Sequence, residues 1–252
     1  MIRNPKPTGI LFRLTLAAAF LPLWNHAASA QAPPKDLVQR IDHAQSARET
    51  DLAGYRVTEH YYVLRNGNTQ PVADAVVQTV YKRGEGKEFN VISRSGSSFL
   101  QRNLIDRVLA EEKNISNGEL RKSVLVTSAN YTMGFVRAEQ LAGRNCFIVK
   151  LTPKRKSPYL VTGQVWIDAH TYDIVHIEGR PSAAPSMWVG LPIIRRDYRQ
   201  LEGFSMATEA RSESKNFLFG TTVLKIDYEN YQITPDLKGV AESKQEGVAE
   251  PK

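Results

Sequence analysis

From residue 55 to residue 233, apart from one interruption, apolar side chains tend to recur at every second position, the period of strands with one buried face. Tyr55, Val57, Tyr61 and Val63 share such a face, interrupted by Glu59, and Asn66-Gly67-Asn68 is a strong hairpin signal. The pattern predicts strands near residues 55–63, 73–82 and 87–94. Others follow near 131–140, 145–152, 160–168, 174–179, 187–199, 204–213 and 218–233, separated by Gly, Pro, Asn and Asp breaks. In the last strand Thr222, Leu224, Ile226 and Tyr228 fall on one side and Lys225, Asp227 and Glu229 on the other, so one face is buried and one is wet. Two segments carry the helical period instead. Asp36 stands where it would cap a helix over 36–48, with Leu37, Ile41 and Ala44 recurring along it. Ser97 or Ser98 would cap a second over 99–114, with Leu100, Leu104, Ile105, Val108 and Leu109 facing inward and Arg102, Arg107, Glu111 and Glu112 on the other face.

These elements predict a mainly β fold with two helices (α+β). Consecutive antiparallel strands form a meander in one curved sheet, and the helices cover part of it. No internal repeat or linker divides the chain, so residues 36–233 are expected to form one domain. A spacer, residues 31–35, contains Pro33-Pro34, and the tail, residues 234–252, is polar, lacks aromatics and reads as disordered.

The first 30 residues have the three parts of a secretory signal. Arg3, Lys6 and Arg13 precede an apolar run from Leu14 to Leu23, and Ala28-Ser29-Ala30 offers a small-residue cleavage site ahead of Gln31. The alternative, an N-terminal membrane anchor, is opposed by Pro22 and Asn25-His26, which break a run already too short for a ~30 Å hydrocarbon core. Cleavage after Ala30 and a periplasmic location are therefore expected, without a lipid anchor, because Gln31 rather than Cys follows the site. The leader also accounts for much of the net +7, since the remainder carries 30 basic against 26 acidic residues. The single cysteine, Cys146, cannot form an internal disulfide and reads as a small buried strand residue, with a reactive thiol as the alternative.

Catalytic patterns are missing. Ser93-Arg-Ser-Gly-Ser-Ser98 lacks the Gly-x-Ser-x-Gly spacing, and Gly84-Glu-Gly-Lys87 lacks the first glycine of a phosphate loop. Asp168, His170, Asp173 and His176 gather around one predicted turn; turn chemistry is the favoured reading and a metal-dependent hydrolase the weaker one. Lys154-Arg155-Lys156 lies between prolines and reads as a solvated loop, and Arg195-Arg196 is followed by Asp197. Neither has the interleaved aromatics of a nucleic-acid platform. No enzyme activity, cofactor, metal or nucleic-acid partner is expected.

A curved sheet has a concave face that must be filled or left as a cavity. Candidate cavity walls are Leu100, Leu104 and Val108 of the mid-chain helix, Met187, Trp188 and Leu191 of the apolar stretch 185–194, and Phe204 and Met206 beyond it. The stretch 185–194 reads either as a strand buried on both sides or as a flexible rim.

The segment Gly163-Gln-Val-Trp-Ile-Asp168, its turn and the alternating return to Gly179 resemble the central hairpin of the outer-membrane lipoprotein-sorting proteins, the LolA/LolB-like group. Lys225-Ile-Asp-Tyr-Glu-Asn-Tyr-Gln-Ile233 is similar to that group's late strand, and the order of elements matches over roughly residues 35–233. The resemblance implies an unclosed β-barrel with a helical lid over an apolar cavity. It also implies a soluble carrier or sensor of lipids or of the acyl chains of lipoproteins, with envelope membrane proteins as further partners. No functional residue of the group maps onto a position here. The alternative is a non-enzymatic interaction module of the envelope with a filled core, acting through an edge strand or loop 153–158.

Overall fold

The computed structural model describes residue 1 and residues 32–184, 191–216 and 220–236. The leader, the stretch containing Met187 and Trp188, and most of the polar tail lie outside the described residues. Among the described residues ten antiparallel strands form one curved, unclosed sheet: β1 (Leu52–Arg65), β2 (Ala73–Lys82), β3 (Gly86–Gly96), β4 (Tyr131–Leu141), β5 (Arg144–Pro153), β6 (Val161–Asp168), β7 (Ile174–Pro181), β8 (Ile193–Leu201), β9 (Phe204–Asn216) and β10 (Gly220–Pro235).

The expected meander needs one correction. The order across the sheet is β3-β2-β1-β10-β9-β8-β7-β6-β5-β4, so β1 pairs with β10 and the consecutive strands β3 and β4 lie at opposite edges. The chain must therefore cross from one edge to the other, and its helices lie in that crossing. Helix α2 (Ser98–Leu100), a π-helical turn (Gln101–Ile105) and α3 (Asp106–Ile115) run on without a break; α4 (Gly118–Val124) follows. With α1 (Leu37–Asp51) this makes three helical stretches among the described residues where two are expected from the sequence. Among the described residues β8 begins at Ile193, the expected start near 187 lying outside them, and β10 continues to Pro235, past the expected end at 233.

Local chemistry explains the element ends. Asn66 and Gly67 both adopt positive φ, 52° and 79°, as the predicted Asn-Gly turn requires. The Ser97 side chain accepts a hydrogen bond from the Leu100 amide and caps the mid-chain helix. Asp36 does not cap α1 through its side chain; it accepts from Arg40 Nε at 2.9 Å instead. The start of the mid-chain helix is fastened to the sheet by Gln101, whose Nε2 donates to the carbonyls of Asp74 and Ser95, both at 2.7 Å.

Two clusters form most of the core. Leu37 and Ile41 of α1 pack on Phe147, Val149, Leu151, Val165 and Ile167 of β5 and β6. Ile105 and Leu109 pack on Tyr61, Val63, Val77, Leu224 and Ile226 of β1, β2 and β10. The two faces of the final strand are thus realised as read: Leu224 and Ile226 are buried, while Lys225 pairs with Glu209 and Asp227 on the opposite face. Strands β6 and β7 approach so closely at Gly163 and Gly179, which are register partners, that a Cβ at Gly163 would lie 2.1 Å from the Glu178 carbonyl oxygen. Gly163→Ala is therefore expected to destabilise the fold by on the order of 1–3 kcal/mol, the usual range for forced overpacking, measurable as a lowered urea midpoint.

Candidate functional site

A cavity of about 360 Å³ lies between the helices and the concave face of the sheet. That is within the size range of small-molecule sites, and its wall has two characters. One part is aliphatic, built from Val124, Leu125 and Val126 with Leu151, Ile174 and Ile177. The other is aromatic and charged, with Tyr55, Tyr228 and Tyr231 beside Lys87, Glu112 and Arg196.

Alternation along β8 builds part of this wall. Ile194, Arg196 and Tyr198 line the cavity, whereas Arg195 pairs with Glu178 and Asp197 with His176. Arg196 meets Glu112 of α3, which also receives Lys87 of β3. Lys87 Nζ lies 2.7 Å from Glu112 Oε2, and Arg196 Nη2 lies 3.4 Å from Oε1. One carboxylate is thus shared by two cations. Burial alone would raise the Glu112 carboxyl, but Lys87 and Arg196 outweigh it and hold it at about 2. Burial alone would lower the Lys87 ammonium; Glu112 outweighs that and raises it well above its usual value. The Tyr228 and Tyr231 hydroxyls are pushed up by burial. The sequence pattern places Glu112 on the outer face of its helix, and the structure corrects this: the carboxylate turns toward Lys87 and Arg196.

A second ion pair holds α4 to α1. Arg121 donates to both oxygens of Glu49, at 2.7 and 2.6 Å, and its guanidinium lies 5.1 Å from the centre of the Tyr81 ring. Tyr81 stacks on Tyr55, which meets Tyr231 edge-on. Glu59 lies outside the cavity lining, with Oε2 accepting from the Tyr61 hydroxyl at 2.5 Å and Oε1 buried without a partner among the described residues.

The residues singled out from the sequence are dispersed. Met206 lines the cavity. Leu100, Leu104 and Val108 pack against the β1–β2–β10 core instead of lining the cavity. Phe204 packs near Leu52 and Tyr81 and lines an outer groove beside α1. Leu191 is exposed, its carbonyl accepting from Arg180 Nη1 at 2.5 Å. Met187 and Trp188 lie outside the described residues. At the 168–173 turn, Asp168 Oδ1 accepts from the backbone amides of His170 and Thr171, and Oδ2 accepts from Arg144. The Asp168 amide donates to the Asp173 carbonyl, while the Asp173 side chain bonds Gln200 and the His176 ring bonds Asp197. Cys146 is buried, and burial pushes its thiol up to about 11, which leaves little thiolate at neutral pH.

The class that this architecture defines is a mainly β protein whose unclosed sheet and helical lid enclose a cavity. No protein-family model matches the chain, and no curated protein matches it. Solved structures do match. A LolA superfamily protein from Nitrosomonas europaea is 11% identical, with a TM-score of 0.48, over 81% of this chain and 96% of that one. A domain described as an outer-membrane lipoprotein-sorting protein, from Vibrio parahaemolyticus, is 13% identical, with a TM-score of 0.44, over 81% of this chain and 95% of that one. MucB, solved in complex with periplasmic MucA, is 11% identical, with a TM-score of 0.26, over 82% and 96%. Among the described residues no helix is long and apolar enough to cross a membrane.

Proposed function

We propose that this protein is an exported, non-enzymatic carrier or sensor that takes up the alkyl chain of a lipid or acylated lipoprotein in the cavity between its helices and its sheet. The observation that carries this reading is the cavity itself: about 360 Å³, with an aliphatic wall contributed by β5, β7 and the α4 end. Transfer of an alkyl chain from water into such a space yields ~0.8 kcal/mol per buried methylene. About ten methylenes give a gross ~8 kcal/mol, and the costs of association bring the net toward micromolar affinity, which suits reversible hand-over. Titration of the purified protein with a fluorescent acyl probe is expected to saturate at one probe per chain in the micromolar range. No saturable uptake overturns the reading.

A second reading rests on the two free edges. Strand β3 exposes Ile92 and β4 exposes Phe135 and Val136, and an edge strand with apolar side chains is a surface for strand addition by a protein partner. An envelope interaction module of this kind predicts no probe uptake and loss of partner capture on Val136→Pro.

A further inference from the structure

We infer that the cavity selects amphiphiles with an oxyanion head, and that Arg196 is the residue that binds that head. The inference rests on the cavity reading above and deepens it. A wall that served only alkyl chains has no need of charge, and desolvating unneeded charge is costly. This cavity nevertheless carries Arg48, Lys87, Arg121 and Arg196 against one lining carboxylate, Glu112. Arg121 is satisfied by its bidentate pairing with Glu49, and Arg48 by Glu49 and the Ser205 carbonyl. Lys87 is largely covered and has Glu112 at 2.7 Å.

Arg196 differs from these three. Its contact with Glu112 is the long one, at 3.4 Å, and 35% of its side-chain surface stays accessible. A guanidinium has five N–H donors, so most of them remain for a ligand at the cavity wall. A planar fork of donors suits a carboxylate or phosphate, which it binds bidentately. The aliphatic wall at Val124, Leu125, Val126 and Ile177 provides the surface for the chain. The ligand class is thus a single alkyl chain ending in a carboxylate or a phosphate monoester.

The test is displacement of the fluorescent acyl probe from the full-length processed protein by decanoate, decyl phosphate, decanol and inorganic phosphate. Decanoate or decyl phosphate is expected to displace it at about tenfold lower concentration than decanol, the size of one charge-assisted hydrogen bond. Whichever of the two is stronger identifies the head. Arg196→Gln is expected to remove this preference, so that decanoate and decyl phosphate displace the probe no better than decanol does. The comparison of ligands on the unaltered protein holds even if that variant folds poorly. Equal potency of decanol and both anions overturns the oxyanion inference and leaves the cavity reading intact. Displacement by inorganic phosphate as strong as by decyl phosphate overturns it as well, since a free anion would then suffice. Failure of the probe to bind at all removes the cavity reading itself.

Discussion

Glu112→Ala is expected to destabilise the protein by about 3 kcal/mol, the largest effect of any single polar substitution at the cavity. The carboxylate is 20% accessible and is the shared partner of Lys87 and Arg196, so its removal leaves two cations facing each other in a poorly solvated wall. Breaking a buried ion pair from one side costs about 3–5 kcal/mol in other proteins, whereas replacing the whole set by apolar residues of similar size is often neutral. Lys87→Met, Glu112→Leu and Arg196→Met combined should therefore recover most of the loss while abolishing any preference for anionic ligands. Urea unfolding of the two variants tests this; a cost below about 1 kcal/mol for Glu112→Ala would show that the cluster is solvated. The same group sets a pH dependence. Its folded value, about 2, lies below the ordinary 4.5, so its contribution is fully present above pH 4.5 and is lost as pH falls from there toward 2. Asp168 acts in the same direction. Burial would raise its carboxyl, but the Thr171 and His170 amides and Arg144 outweigh that and lower it.

Filling the cavity should abolish ligand uptake without unfolding the chain. Ile194 lines the cavity near the start of β8, is half-buried, and projects to the same side as Arg196 and Tyr198. Ile194→Trp adds an indole to a space of about 360 Å³, so room exists for the larger side chain and the overpacking cost of a full core does not apply. Acyl-probe affinity is expected to fall at least tenfold, with the thermal midpoint shifted by only a few degrees. Unchanged affinity in a folded variant would place the alkyl chain elsewhere, and the outer groove beside α1 at Phe204 would be the next place to look.

Much of this architecture is legible in the chain because period-two alternation encodes strands directly. Strand β2 falls on the predicted residues, β4 and β6 differ by one residue at one end, and β5 by one at each end. The pairing of β1 with β10 is different in kind. It joins Leu52 to Pro235 and Arg65 to Thr222, and nothing local marks a partner so far along the chain. That one pairing moves β3 and β4 to opposite edges and sends the helices across the concavity. Helix α4 is too short, at 7 residues, to display a period, so the sequence pattern does not reveal it. The site is harder to see than the fold. Arg195-Arg196 stands in the sequence as a basic pair followed by Asp197, and the alternation Ile194, Arg196, Tyr198 is the signal that one arginine faces inward. Glu112 looks solvent-facing by helical period. Only the tertiary placement of Lys87 and Arg196 turns it into a buried partner.

The most direct measurement is native mass spectrometry of the protein isolated from an envelope extract without detergent, followed by organic extraction. A co-purifying mass of one amphiphile per chain, extracting as a lipid or acylated peptide, is the predicted result. A bare polypeptide mass, together with no uptake of added decanoate, would contradict the cavity reading and leave the free sheet edges as the working surface.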